Sequence, residues 1–333
     1  MKYTISDIAQ MCGVSKATVS RIINNKDAGF SQETKRLVLD KIEQLGYRPN
    51  VLARSISVSS SCMIGMIVPE LRNPVQIELV CGVEDFLREH NYSLILAQSK
   101  HQLSKERELL ISMVDKRADG VILCSGNENT EFLQEYRRYH MPISLIGRTF
   151  DKGVSDASIG GDNKAGIMTA MNHLVDKGHT AIALLDGRIE SSGAQQRLEG
   201  YRQVLLERGI PFDSGLVDNS DYSYQAGCDM INRLQEKNRR FTAVLTGGDI
   251  IAVGVLSALR AHEIKVPDEV EVIGFDDLEI SRIHSPTIST LRKPHYSMAT
   301  MATQMLLEVI DGNPPDISHL SVVPELVLRE TTR

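Results

Sequence analysis

The chain has 333 residues, 42% hydrophobic and 24% charged, a size that allows roughly two or three buried cores and a composition ordinary for a globular protein. No apolar run approaches the roughly 18 residues of a membrane-spanning helix, and the opening MKYTISDIAQ has no apolar export core, so no membrane partner is expected and the cytoplasm is the expected location. The net charge of −6 divides unevenly: residues 1–60 hold nine Lys/Arg against five Asp/Glu, leaving 28 against 38 in the remainder, so attraction for phosphates is concentrated at one end.

In chain order, the spacing predicts three short helices over residues 5–45. The first covers Ser6–Met11, with Ile5, Ile8 and Ala9 at helical spacing. Gly13 supplies a turn, and Ser15 is a natural N-cap for a second helix reaching about Asn24 with Val19, Ile22 and Ile23 inward. After a polar loop, Ser31 opens a third helix whose Leu37, Val38, Ile42 and Leu45 form an apolar stripe ended by Gly46. Pro49 sets a stop, Asn50 can cap a short helix through about Ser57, and Ser57–Ser61 reads as a linker. That helix is too short to stand alone in water and should form only when something holds it.

From Cys62 onward strand and helix alternate. Apolar runs at Met63–Val68, Ser93–Ala97, Gly120–Cys124, Ile143–Ile146, Ala181–Leu185, Ala243–Thr246 and Val270–Phe275 read as strands. Helical patterns such as Val75–Glu89, Lys105–Val114, Lys164–Lys177, Gln195–Arg208, Tyr224–Glu236 and Ile250–His262 fall between them. Near-continuous apolar strands spaced by helices imply parallel sheets covered on both faces. The expected fold is a small all-α helix-turn-helix head plus an α/β core of two doubly wound parallel-sheet lobes, joined near Gly153–Gly161 and again near Ser289–Pro294. Ligands of such folds bind at the carboxyl ends of the strands, here between the lobes.

The segment TISDIAQMCGVSKATVSRIINN, Thr4–Asn25, has the parts a helix-turn-helix needs. Its second helix would enter the major groove by its N-terminal turn. Lys16 and Arg21 can donate to guanine edges, Ala17 can touch a thymine methyl, and the hydroxyls of Thr18 and Ser20 suit phosphates. A small three-helix interaction domain would show a similar apolar pattern, without the same need for basic charge.

These residues closely resemble the head of the LacI/GalR family of bacterial transcription regulators, and YRPNVLARSI is similar to that family's hinge. The resemblance runs the whole chain: ADGVIL, DNKAGIMTAMNHLVDKGH, RLEGY, GGDIIAVG, VPDEVEVIGFDD and SPTISTLRKP stand in the family's order and spacing. It implies a homodimer on double-stranded operator DNA, one head per half-site. It also implies that Asn50–Ser57 folds on DNA and enters the minor groove, where Ile56 would wedge a base step. The family usually has Leu there, and the β-branched side chain is stiffer; packing of Ile56 against its dimer mate is the plainer alternative. Ala53 allows close approach and Arg54 reaches phosphate; Thr4, Ser15, Asn24 and Asn50 complete the expected DNA-binding set.

The body resembles the periplasmic sugar-binding fold, which implies a small-molecule effector, a sugar or sugar derivative, between the lobes. Asn73 and Gln76 follow the first strand, where many relatives carry aromatics at positions 75 and 76. Arg197 matches an arginine that grips ligand oxygens, Asp276 an acid that accepts from ligand hydroxyls, and Tyr222 an aromatic platform. An Arg197–Asp276 structural ion pair and a core Tyr222 are the plain alternatives. Arg148, where many relatives place an acid just before the arginine, and Lys293 add cations and point to an anionic effector such as a phosphorylated sugar or sugar acid.

No nucleotide-binding, hydrolase-elbow or zinc-helix motif occurs. The five cysteines lack Cys-x-x-Cys spacing and read as reduced thiols, and His173 and His179 as structural. No enzyme activity, cofactor or metal is therefore expected. The chain ends at VPELVLRETTR without a further heptad helix, so a dimer rather than a tetramer is the expectation. The expected boundaries are a head at 1–46, a hinge and linker at 47–61, and a core at 62–333. Within the core, the N-lobe takes about 62–160 plus 292–320 and the C-lobe about 161–291 plus 321–333. The expected function is an effector-controlled transcriptional regulator, by resemblance a repressor. A solute-binding transport protein shares the body fold, and a sugar- or nucleotide-modifying α/β enzyme would share its topology.

Overall fold

The computed structural model describes residues 3–23, 29–47, 60–124, 131–147 and 155–333. It forms two compact units, Met1–Ser61 and Cys62–Arg333. The expected hinge residues Asn50, Ala53, Arg54 and Ile56, together with Asn24 and Arg148, lie outside the described residues.

In the head, α1 (Ile5–Met11) starts at a capping box. Asp7 N–H donates to Thr4 Oγ1 at 3.3 Å, and Thr4 N–H donates to Asp7 Oδ2 at 2.7 Å. Gly13, at φ +65°, turns the chain into α2 (Lys16–Ile23), whose first turn is capped by Ser15 Oγ accepting from Thr18 N–H at 3.1 Å. Ser31 caps α3 (Gln32–Gln44) in the same way. Ile8, Ala9, Val19, Ile22 and Val38 are buried together, with Ile42 and Leu45 packed beside them. Leu37 does not belong to that stripe: it is 52% exposed. Val38, Ile42 and Leu45 recur at i, i+4 and i+7, whereas the row of Leu37 continues through Lys41 and Gln44 and stays in solvent.

The body opens with β1 (Met63–Val68), α4 (Pro74–Glu89), β2 (Ser93–Gln98), α5 (Leu103–Asp115), β3 (Gly120–Cys124), α6 (Glu131–Tyr136), β4 (Ile143–Gly147) and β5 (Ala157–Gly161). The chain then crosses to α7 (Asn163–Asp176), β6 (Ile182–Asp186), α8 (Ser192–Glu207), β7 (Val217–Asn219), α9 (Tyr224–Glu236), β8 (Ala243–Thr246), α10 (Asp249–Ala261), β9 (Glu271–Asp276), α11 (Glu279–Ile283) and β10 (Ser289–Arg292). It returns for α12 (His295–Ile310) and β11 (His319–Val322), and crosses again to β12 (Glu325–Val327).

One sheet runs β11-β5-β4-β3-β1-β2, all parallel; the other runs β12-β10-β9-β8-β6-β7, parallel except for the antiparallel β12. Each is buried on both faces, which is why strands such as Gly120–Cys124 and Ile182–Asp186 are buried throughout. The chain passes between the lobes three times, at Gly161–Asn163, Arg292–His295 and Val322–Glu325; the third passage adds to the junctions read near Gly153–Gly161 and Ser289–Pro294. The first and third crossings touch: Asp162 N–H donates to Val322 C=O at 2.9 Å. Since β5 and β10 both run straight into these crossings, the carboxyl ends of both sheets face the same boundary. The helices that follow the strands begin there too.

Candidate functional site

The head presents α2 outward. Val19 and Ile22 are buried while Ser15, Lys16, Ala17 and Arg21 are exposed, with Thr18 and Ser20 half-buried. Lys16 and Ser20, and Ala17 and Arg21, form two adjacent i, i+4 rows, so two cations and two small side chains share one face. The hydroxyls of Thr4, Ser15 and Thr18 are engaged in caps: Thr18 Oγ1 lies 2.9 Å from Ser15 Oγ, and Thr4 Oγ1 donates to Asp7. They hold the helix ends in place and keep only residual bonding capacity. Gly29 stands beside Arg21, where an added Cβ would come within 3.0 Å of Nη1.

In the body, Arg197, Tyr222, Asp276 and Lys293 come together at the boundary of the lobes. Asp186, the last residue of β6, accepts from Arg197 Nε at 2.8 Å and Nη2 at 2.6 Å, and both side chains are nearly fully buried. The same Nη2 donates to Tyr222 Oη at 2.9 Å. Burial works against the Arg197 cation, but the Asp186 carboxylate outweighs it and holds the guanidinium charged. The postulated Arg197–Asp276 ion pair therefore does not form; each has another partner. Tyr222 is half-buried, packs against the edge of the second lobe's core, lies over Gly187, and has its phenol pushed up chiefly by burial.

Asp276 ends β9, and its Oδ1 accepts from His295 Nε2 at 2.9 Å. Burial pushes its carboxyl up, and the hydrogen bond and charge of His295, followed by Lys293 and Arg197, bring it below the usual range. His295 is the first residue of α12, so this bond ties the two lobes. Asp276 and Asp277 have φ of +102° and +58°, a left-handed pair that persists only where neighbours over-determine it. The neighbours are Arg292, Arg282 and Arg329, all donating to the Asp277 carboxylate; against the effect of burial they hold it at about 2.

Asn73 caps α4, its Oδ1 accepting from Val75 N–H at 3.0 Å, and Gln76 Oε1 is buried without a hydrogen-bond partner among the described residues. Both sit after the carboxyl end of β1, on the boundary side of the first sheet. A cavity of about 450 Å³ lies elsewhere, between Leu256, Arg260, Ile264, Val266, His284 and Pro286. The buried, mutually oriented charges lie instead at the lobe boundary.

Sequence reasoning missed Asp186, Asn163, Asp249 and His295. Asp186 and Asp249 carried a usable signal, an acid just after an apolar strand. Asn163 and His295 each follow a crossing and carried none.

A basic helix-turn-helix ahead of a two-lobed α/β body defines a class of protein: a DNA-binding regulator with a binding-protein body. Residues 4–50 match the family model described as bacterial regulatory proteins, lacI family, and residues 171–332 match a periplasmic binding protein-like domain. The HTH-type transcriptional regulator RegA of Clostridium saccharobutylicum is 34% identical over all of both chains. Catabolite control protein A of Priestia megaterium is 30% identical over all of both, and the ribose operon repressor of Escherichia coli (strain K12) is 32% identical over 98% of each. Among solved structures, the lac repressor dimer bound to operator and the anti-inducer ONPF superposes with a TM-score of 0.88 over 100% of this chain and 99% of that one, at 23% identity. A complex of the transcriptional regulator CelR with cellobiose matches at 26% identity over 99% of each chain, with a TM-score of 0.74. The chain belongs to the LacI family of transcription regulators.

Proposed function

We propose that the protein is a cytoplasmic repressor, without enzyme activity, that binds operator DNA as a homodimer and is controlled by a small sugar-like effector between its lobes. The observation that carries the DNA half is the outward face of α2, with Lys16 and Arg21 exposed on a helix whose other side is the head's core. In this reading Thr4, Ser15, Ala17, Thr18 and Ser20 position α2 and line its contact with DNA. Asn24, Asn50, Ala53, Arg54 and Ile56 extend that contact along the expected hinge. Asn73, Gln76, Arg148, Arg197, Tyr222, Asp276 and Lys293 form the effector set, and 1–46, 47–61 and 62–333 are the functional divisions.

Support comes from relatives named as ribose operon repressors and as the HTH-type transcriptional repressor PurR, and from solved regulators described with operator or with cellobiose. A transport protein with this body has no use for the basic head. No helix among the described residues is long and apolar enough to cross a membrane. Ligand-linked control of this kind couples the sites by about 1–3 kcal/mol, roughly 5–150-fold in operator affinity.

The test is fluorescence anisotropy on an operator selected from a random duplex library. Arg21→Ala is expected to lower specific affinity by about tenfold or more, and the wild type to weaken steeply as salt rises. Unchanged binding by the Arg21→Ala protein would remove α2 as the reading helix.

A further inference from the structure

Lys293 is a largely buried cation at the lobe boundary that is met only at long range, by Asn163 and Asp276. It lies on the second crossing, its side chain only 11% exposed, running past Gly161 with Nζ 5.5 Å from the centre of the Phe275 ring. The oxygens nearest Nζ are Asn163 Oδ1 at 3.5 Å and Asp276 Oδ1 at 4.0 Å, both beyond the length of a charge-assisted hydrogen bond. Asp276 Oδ1 is already taken by His295, and Asp186 by Arg197.

Another nearby acid, Asp249, accepts from Thr290 Oγ1 at 2.6 Å and from Leu278 N–H at 2.7 Å. Burial raises its carboxyl to about 8, so it is mostly uncharged at neutral pH. Burial weakens the Lys293 ammonium, Asp276 opposes that, and the like charge of Arg197 adds to it. A dehydrated ammonium beside a buried guanidinium, with Asp276 4.0 Å away and shared with His295, lacks a full counter-charge.

The geometry leaves room for that charge to come from a ligand. Arg197 Nη1 makes no bond to Asp186 or Tyr222 and faces Gly193, where even an added Cβ would stay 3.5 Å from both Nη1 and Asn163 Nδ2. Asp276 Oδ2 accepts no hydrogen bond among the described residues, and Gly248 leaves the space beside it open. The amino ends of α7, α8, α10 and α12 meet at the same boundary and add positive partial charge.

We infer that the effector carries an anionic group, a carboxylate or phosphate on a polyhydroxylated skeleton, and that Lys293 with Asn163 and the free arm of Arg197 seats it while Asp276 takes a hydroxyl; this rests on the reading of the lobe boundary as the effector site. Lys293 then sets specificity by charge, a role that Gln at the same place would not fill.

Full-length wild-type, Lys293→Gln and Lys293→Arg proteins are titrated calorimetrically at fixed ionic strength with gluconate, glucose 6-phosphate, ribose 5-phosphate, their parents glucose and ribose, and inorganic phosphate. The expected result is that one charged ligand binds the wild type about tenfold or more tightly than its parent sugar. Lys293→Gln should erase that preference and Lys293→Arg keep most of it. Gluconate against the two sugar phosphates separates carboxylate from phosphate. Without any ligand, Lys293→Gln should melt no lower than the wild type, since it removes a largely buried cation that Asp276 compensates only in part.

A parent sugar that binds as tightly as its charged form, and loses binding in an Asp276→Asn protein whose ligand-free melting is unchanged, keeps the boundary as effector site and overturns the anionic assignment. A preference for the charged form that survives Lys293→Gln overturns it as well. So does a marked fall in the melting temperature of ligand-free Lys293→Gln, which would make Lys293 a structural cation, and so does silence from all six probes.

Discussion

Arg197 is held from two sides, by Asp186 through two nitrogens and by the phenol of Tyr222, in a place where water cannot replace either partner. Replacing it with Met leaves the Asp186 carboxylate buried and alone. The expected cost is about 3–5 kcal/mol in denaturant unfolding of the body, and an Asp186→Asn, Arg197→Met double variant should recover part of it. Asp249 gives a pH signature. Its folded carboxyl is raised to about 8 by burial, so the folded protein holds a proton that the unfolded chain has released. Stability should therefore fall as pH rises from the ordinary aspartate value of 3.8 toward 8. Asp277, held at about 2 by its arginines, acts in a different window: its contribution is lost as pH falls from 3.8 toward 2. Asp249→Asn can keep both hydrogen bonds, with its amide oxygen toward Leu278 N–H and its Nδ2 toward Thr290. Melting curves across pH 4–8 should be flatter in that variant; an unchanged slope would place the titration elsewhere.

Among elements, the tightest approach is between α9 and α10. A Cβ on Gly227 would overlap the Ile251 carbonyl oxygen, and one on Gly254 would overlap the Tyr224 carbonyl oxygen, so two backbones meet with no side chain between them. Gly254→Ala should destabilise the body by about 1–3 kcal/mol or more, read as an earlier unfolding transition, while the head's α1–α3 core is untouched. Elements of this kind were legible where the local pattern was strong. The buried strands Met63–Val68, Gly120–Cys124 and Ala243–Thr246 stand where their apolar runs ended, and Tyr224–Glu236 spans its predicted helix. Ala157–Gly161 escaped because ASIGG has too little apolar bulk, and Val217–Asn219 and Glu325–Val327 because three residues show no period. Strand pairing, inside the first sheet for Ala157–Gly161 and at the edges of the second for the other two, supplied what their own sequences lacked. The candidate effector site was half legible. Arg197, Tyr222, Asp276 and Lys293 were found by resemblance, but their partners are set by where crossings place residues: His295 reaches back to Asp276 across the lobe boundary, and no spacing rule announces that.

At the scale of the molecule, charge and binding chemistry are held in separate compartments. The excess of Lys/Arg lies in residues 1–60 and the excess of Asp/Glu in the rest. A protein shortened to residues 62–333 should lose retention on DNA while keeping its ligand-induced thermal shift, because the body has its own sheets and cores. A shortened protein that still binds DNA would mean the acidic body contributes contacts that its charge argues against.

The three crossings at Gly161–Asn163, Arg292–His295 and Val322–Glu325 set how this gene product can be divided. Neither lobe is a contiguous stretch of chain, so no fragment ending between them is self-sufficient. A stop codon after residue 294 would remove α12 and strip one face of the first sheet, while the second would lose β12 and the Arg329 clamp on Asp277. The head is the exception: one cut releases it whole. Recombination can thus exchange DNA-reading heads among such bodies at a single joint, while each body has to be inherited in one piece.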